Sequence, residues 1–511
     1  MCGLLLTQIS VTMRYLLFAI TVLRIFTCHA GDLHYEISPV ISGTGTSYLQ
    51  VRLSFEGNAD GSTELALPNS FGPAKGLFAC IRNLRCASRA CTLLINRDKH
   101  LALLKYPANT PVEITYEVVQ DEAGAEVTKE TAFRPLLRPD FFHVMGCVLF
   151  VTPVLSDGSC NVTVEWRNLP SNWLVHSSFG SKERAVHFSF AKSRMIESVF
   201  WAGEFRILKT MVKSRPVYLA IRGNDWPFTD EEVLNILQKT VATQRKFWQD
   251  WDIPYYTVTL MPMANRPVMA GGQVLPTEYL GTGLRNSFAA FITPSASMDM
   301  NRFQHLFNHE MMHNWIGNRI RSGGGPNDMH FSWFSEGFTE YFALKNMLEG
   351  GFITLEQYIE TINADYLEHL YSSPIGELPN EEIAADFFKD PEKAEIPYKR
   401  GFVFAFFLDN AIKSKSGGKQ GLHDFMIDLL DYYSLRRRDL LSGFEFFEET
   451  LSEYLMQDAG TLIDTYIRDG KRIPPPTFVL PGYLHMETDL AGIPRIRLNK
   501  YSEGWNEGIR R

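Results

Sequence analysis

His309-Glu310-Met311-Met312-His313, followed at a distance by Trp333-Phe334-Ser335-Glu336-Gly337-Phe338-Thr339-Glu340-Tyr341, is the stretch on which the reading of this chain turns. Phe303, Leu306, Phe307 and Met311 recur at spacings of three and four, which predicts a helix with one buried side. Residues four apart on a helix share a face. His309 and His313 can therefore aim two imidazole nitrogens at one point, as a tetrahedral metal requires. Glu310 then stands beside that point without filling a ligand position, where a general base for a metal-activated water is wanted. Glu336 lies 23 positions after His313, beyond a Gly323-Gly324-Gly325-Pro326 turn. A helix-turn-helix return can bring its carboxylate in as a third ligand and leave the fourth position for water or substrate. Two histidines plus a carboxylate are a catalytic donor set for zinc, one ion per chain, rather than a structural one.

Around this centre, 511 residues with 45% hydrophobic and 13% aromatic content are enough for large cores in roughly two to four domains. A net charge of -8 and a pI near 5.9 argue against nucleic acid as a main partner. The contiguous basic run Arg436-Arg437-Arg438 reads as a solvated helix face. At the N-terminus, Arg14, the apolar run Tyr15 to Leu23, and small residues at Cys28 and Ala30 fit a secretory signal over residues 1–30, cleaved after Ala30. The run is too short for a comfortable span and Arg24 interrupts it, although an uncleaved N-terminal anchor or a lipid-modified Cys28 are alternatives. The expectation is an exported protein, periplasmic or secreted, with no stable membrane span in the mature chain.

Of seven cysteines, Cys80, Cys86, Cys91, Cys147 and Cys160 follow the signal and all precede residue 161. In an exported chain they suggest one or two disulfides of unassigned pairing. Asn161-Val162-Thr163 is a glycosylation acceptor pattern in a host that uses it.

Residues 31–225 read as an N-terminal β domain of sandwich type. Tyr48 to Phe55, Val112 to Val118, Val162 to Trp166 and Ala185 to Phe190 alternate apolar and polar residues between turn-forming residues. The texture changes at Trp226-Pro227-Phe228-Thr229. Thr229 with Glu232 makes a capping box, and Val233, Leu234, Leu237, Val241 and Phe247 supply a helical stripe. Val258 to Pro262 and Ser287 to Ile292 are strand candidates between that helix and the motif helix. The expected layout is an α+β zinc-binding catalytic core over 226–345, a helical lobe over 346–473 and an extended C-terminal tail over 474–511 beginning at Pro474-Pro475-Pro476.

His309 to Asn318 together with Trp333 to Phe338 resembles the gluzincin metallopeptidases, closest to the glycyl aminopeptidase (peptidase M61) family, with M1 aminopeptidase-like features. The insert before Glu336 and the wording Trp-Phe-Ser-Glu-Gly-Phe-Thr are M61-like, whereas the Asn-Trp-Ile-Gly-Asn tail of the motif helix is more like M1. The resemblance implies a multidomain chain with a thermolysin-like (gluzincin) core. His309, His313 and Glu336 would bind zinc, and Glu310 would act as base and then as acid to the leaving amine. Glu340 would hold His309 by its other ring nitrogen. Tyr398, in Pro397-Tyr398-Lys399-Arg400-Gly401, matches the tyrosine that donates to the oxyanion.

One departure stands out. The families carry a Gly-rich edge strand whose glutamate pairs with the substrate's free amine. Aligned on Gly283 and Asn286 of Gly281-Thr282-Gly283-Leu284-Arg285-Asn286-Ser287, that position holds Arg285, and a cation repels an ammonium. Glu278 could replace the carboxylate, or Arg285 could contact a substrate carbonyl or acidic side chain. Substrate-binding candidates are accordingly Gly283, Arg285 and Glu278. The implied activity is a zinc-dependent peptidase acting on peptide or protein substrates, an aminopeptidase first. The alternatives are an endopeptidase or oligopeptidase without free-amine recognition, and a non-catalytic peptide-binding member.

Overall fold

The computed structural model describes residues 32–41, 47–121, 126–154, 160–189, 192–264, 269–270, 273–274, 278–321, 329–434, 443–475 and 484–499. The candidate signal, the Gly323–Pro326 turn and the Arg436–Arg438 run lie outside them.

Period-two alternation builds the N-terminal layers. In the strand Tyr48–Glu56, Leu49, Val51, Leu53 and Phe55 turn inward while Gln50 and Arg52 face solvent. This strand pairs antiparallel with Pro111–Val119, setting Val51 opposite Tyr116 and Leu53 opposite Ile114. The six-stranded sheet runs, edge to edge, Ala185–Ser189, Asn161–Trp166, Leu33–Val40, Tyr48–Glu56, Pro111–Val119, Ile81–Cys86. A four-stranded sheet (Thr152–Pro153, Ser62–Ala66, Leu101–Lys105, Thr92–Asn96) and a five-stranded one centred on Val199–Gly203 complete the β region. Cys86 and Cys91 form a disulfide, while Cys80, Cys147 and Cys160 are free and buried.

A second five-stranded sheet positions the motif helix. Its order is Arg206–Val212, Arg215–Ile221, Tyr256–Pro262, Ser287–Ile292, Tyr279–Leu284, with the three inner strands parallel and each outer strand joined as an antiparallel hairpin. Both faces are covered. Leu219, Val258, Leu260, Phe288 and Ala290 pack under the helices, while Ala220, Met261, Ala289 and Phe291 join the N-terminal core. The sheet is thus a middle layer between β-structure and helices. This corrects the boundary expected at residue 226, because Arg206–Ile221 is a hairpin of this sheet. Alternation marks a strand but does not say which sheet receives it. The capping box at Thr229 is present, with Thr229 N donating to Glu232 at 2.7 Å and Glu232 N to Thr229 Oγ1 at 3.2 Å.

The C-terminal part is helical. Gly337–Glu349 and the 26-residue helix Pro391–Ser416 lie at its centre, with Leu422–Ser434 and Gly443–Leu455 packed around them. Within the expected extended tail, the described residues 484–499 instead carry a hairpin, Leu484–Thr488 with Pro494–Leu498. Asn363 clasps it, donating from Nδ2 to Ile496 O at 2.9 Å and accepting from Ile496 N at 2.8 Å, and Ile496 is buried. Among the described residues no helix is long and apolar enough to cross a membrane.

Candidate metal centre

The motif helix spans Met300–Met312, with His313 as its C-terminal cap in helical conformation. Asp299 caps its start by accepting from Asn301 N at 2.8 Å and Arg302 N at 3.3 Å. Phe303, Phe307 and Met311 anchor the buried side, Phe307 edge-on to Phe288 of the sheet at 5.0 Å between ring centres. The opposite flank carries His309 and His313. Each ring is fixed by its Nδ1: that of His309 lies 2.8 Å from Glu340 Oε1, and that of His313 donates to Ile316 O at 3.2 Å. Both Nε2 atoms are left to point at a common centre.

Glu336 enters from the junction between Ser332–Ser335 and Gly337–Glu349. Its Oε2 stands 3.4 Å from each Nε2, and the two Nε2 atoms are 3.0 Å apart. For four-coordinate zinc with bonds of about 2.0–2.1 Å, the edge of the ligand tetrahedron is about 3.3–3.4 Å. The three donor atoms thus outline one face of a zinc-sized tetrahedron, and the donor set fits that ion. His309, His313 and Glu336 group together as potential metal holders.

Two glycine contacts explain why these elements meet. Strand Tyr279–Leu284 runs against the motif helix, and a Cβ on Gly281 would fall 2.3 Å from Glu310 Oε1. One on Gly283 would fall 2.3 Å from His313 Cβ. On the other side, Gly337 and Gly401 let two helices touch backbone to backbone: a Cβ on Gly401 would lie 1.9 Å from Trp333 O, and one on Gly337 would lie 2.3 Å from Gly401 Cα. Tyr398 precedes Gly401 by about one helical turn, so this contact brings its ring beside the centre, 6.1 Å from that of His309.

Burial dominates the electrostatics. It pushes the Glu310 carboxyl up, with His309 and His313 opposing. Burial would also raise Glu336 and Glu340, but the facing imidazoles overrule it and hold both carboxylates low. His309 shows the reciprocal balance, burial acting downward and Glu340 and Glu336 carrying it well upward. Burial, reinforced by Glu336 and Glu310, keeps the Tyr398 hydroxyl protonated far above its ordinary range.

Sequence reasoning missed two partners of Glu340: the Tyr366 hydroxyl, which donates to Oε2, and His305, whose Nε2 lies 3.1 Å from the same oxygen. His305 precedes His309 by four residues, a spacing that could have flagged it. Tyr366 sits in the π-helical segment Ile362–Glu368 and offers no such signal.

The substrate-binding candidates lie along and at the two ends of the strand Tyr279–Leu284. Gly283 spends its missing side chain on packing against His313. Arg285 is exposed at the strand's turn, and burial of its stem together with the nearby Arg194, Arg319 and Arg321 cations pushes its guanidinium below the usual range. Asn286 N in that turn donates to Asn314 Oδ1 at 2.8 Å, which ties the turn to the end of the motif helix. Glu278 is exposed at the strand's opposite end, 3.8 Å from Lys129, and lies about 10 Å of strand from Gly281.

Comparison with known proteins agrees with the resemblance read from the motif. The model of the M61 glycyl aminopeptidase family matches residues 302–378. Leucine aminopeptidase 2 of Aspergillus oryzae is 25% identical over 197 residues, 36% of this chain and 28% of that protein. Leucine aminopeptidase 2 of Yarrowia lipolytica is 28% identical over 153 residues, 27% of this chain and 22% of that protein. The matches thus span less than a third of these relatives' length. In fold, the chain is similar to an aminopeptidase N family protein from Idiomarina loihiensis (TM-score 0.69, 17% identity, 86% of this chain and 77% of that one). It is also similar to an M1 zinc metallopeptidase from Deinococcus radiodurans (TM-score 0.53, 14% identity, 88% and 95%).

Proposed function

We propose that this metallopeptidase-like chain is a zinc-dependent peptidase and, by its likeness to aminopeptidases, one that removes N-terminal residues. The observation that carries the reading is the convergence of His309 Nε2, His313 Nε2 and Glu336 Oε2 at tetrahedral-edge distances beside a buried Glu310. Zinc, when bound there, supplies Lewis acidity toward a peptide carbonyl and an attacking water. Glu310, buried beside the centre, takes the water's proton and hands it to the leaving amine. Tyr398, kept protonated, donates to the carbonyl oxygen as negative charge develops there. Glu340 holds the His309 ring so that Nε2 faces inward. The outer strand Tyr279–Leu284 offers backbone donors and acceptors to an extended substrate passing Glu310.

A second reading, a peptidase that does not require a free amine, is favoured by one observation: Arg285 stands where the resemblance expects a carboxylate, and Glu278 points elsewhere to Lys129. Hydrolysis of a peptide and its N-acetylated twin separates the two. Cleavage of the free peptide alone supports the aminopeptidase, and equal rates rule it out. Glu310→Gln with zinc retained and activity lost supports catalysis by the centre. Zinc retention by the unaltered protein without cleavage across a broad peptide library would mark a binding protein instead. We also read the chain as exported, a reading that the Cys86–Cys91 pair suits. Cell fractionation finding the native protein in the cytosol would refute this.

A further inference from the structure

Thr92–Asn96 is the outer strand of its four-stranded sheet, paired on one side with Leu101–Lys105. Its other edge has no strand partner among the described residues. Exposed edges are usually blunted by charge, proline or a bulge. This one reads Thr-Leu-Leu-Ile-Asn, with Leu94 60% and Ile95 43% exposed. Close by, Ile81–Cys86 is the outer strand of the six-stranded sheet, and the Cys86–Cys91 disulfide links the two edges. Between them lies a groove of about 410 Å³, floored by Leu84, Leu93 and Ile95 beside the disulfide and rimmed by Arg85 and Arg89.

Charge is concentrated here against the trend of the whole molecule. Across residues 81–105, Arg82, Arg85, Arg89, Arg97, Lys99 and Lys105 stand against Asp98 alone, six positive less one negative, in a chain of net charge -8. All six cations are exposed, and none joins an ion pair among the described residues. A free sheet edge, an apolar floor and an unneutralised basic rim occur together.

We propose that this groove docks an acidic, extended polypeptide segment, which adds to the Thr92–Asn96 edge as a further strand. Backbone pairing satisfies the unpaired N–H and C=O groups, alternate apolar side chains reach the floor, and carboxylates meet the rim. A second copy of this chain would bring the same cations face to face. A lipid surface would leave the edge's backbone groups without partners wherever it excluded water. The proposal is independent of the metal centre, whose residues take no part in the groove.

The test uses the full chain carrying Glu310→Gln, so that the probe is not consumed, and fluorescence anisotropy. The probe is a labelled Glu-Val-Glu-Val-Glu-Val-Glu peptide, N-acetylated and C-amidated. Saturable binding is expected, weakening roughly ten-fold or more between about 50 mM and about 500 mM salt. Arg85→Glu with Arg89→Glu should weaken it by a similar factor, as should N-methylation of alternate probe residues. Ile95→Glu, in the groove lining, is the second variant if the double one fails to fold, and it should weaken binding of the acidic probe by a similar factor, unchanged binding overturning the proposal. Equal binding of a Lys-for-Glu probe, of the N-methylated probe, or by the charge-reversed protein would overturn the proposal. So would binding to phosphatidylglycerol vesicles without binding of the probe, or dimerisation that the charge reversal abolishes.

Discussion

Gly281→Ala separates the proposed general base, Glu310, from the proposed metal ligands. The added Cβ would lie 2.3 Å from Glu310 Oε1, 2.5 Å from Cδ and 2.6 Å from Cγ, against 3.4–4 Å for ordinary contact. Because the clash runs down the side chain, rotating the carboxylate alone does not relieve it, and Glu310 must move by about 1 Å in a buried site. A displacement of that size costs roughly 10²-fold in rate, or about 2.7 kcal/mol of transition-state stabilisation. The backbone at Gly281 does not adopt positive φ, so alanine itself is tolerated there. Overpacking should cost about 1–3 kcal/mol of stability, partly offset by about 0.4–1 kcal/mol from a less flexible unfolded chain. Expected is kcat on a short peptide lower by roughly 100-fold, with zinc content unchanged in metal analysis and a modestly lower denaturation midpoint. Gly283→Ala is the control: its Cβ meets His313 Cβ at 2.3 Å and Glu310 O at 2.8 Å, so it should weaken zinc binding roughly ten-fold or more. Wild-type kcat in Gly281→Ala, or a loss of activity that tracks lost zinc, would refute the reasoning.

Other outcomes follow from the same geometry. Glu340→Gln removes the anion on His309 Nδ1 and should weaken zinc affinity about 10–100-fold in chelator competition, whereas Tyr366→Phe should have a smaller effect. Tyr398→Phe should lower kcat by roughly 10²–10³ with little change in KM and with zinc retained. Asp409 accepts from Lys413 at 2.8 Å, Tyr341 at 2.6 Å and Leu422 N at 2.8 Å. Burial would raise it, but Lys345 and Lys413 hold it well below the usual carboxylate range. Its contribution to stability is therefore complete above the unfolded carboxyl value of about 4 and is lost as pH falls below that. Asp409→Asn should lower stability at neutral pH and flatten the acid limb of a denaturation-versus-pH curve.

What was legible in the chain was local. The i, i+4 spacing of His309 and His313, the Thr229–Glu232 cap and the strand Ser287–Ile292 each depend on neighbours in sequence, and the folded chain has them where periodicity puts them. The gathering of Glu336 with the two histidines was open to a spacing argument because only 23 positions separate it from His313. Features decided by distant partners were not legible. The hairpin Arg206–Ile221 could have joined either β layer. The Gly337–Gly401 contact needs two helices placed side by side before either glycine means anything. The C-terminal hairpin is held by Asn363, more than a hundred residues away. Arg285 shows the converse: aligned by motif it takes a glutamate's position, and only the folded chain shows it exposed at a turn tied to the end of the motif helix through Asn286 N and Asn314 Oδ1.

The sheet beneath the motif helix has consequences for anyone wishing to shorten this protein. Starting a fragment at residue 226 would strip away two of the sheet's five strands, and it would bare Met261, Ala289 and Phe291, which are now wholly or almost wholly shielded from water. Even a fragment starting at Arg206 would lay that apolar surface open to solvent, inviting aggregation. The β-rich half is therefore the far wall of the sheet beneath the motif helix, and protease nicks that release it should leave behind an insoluble remnant.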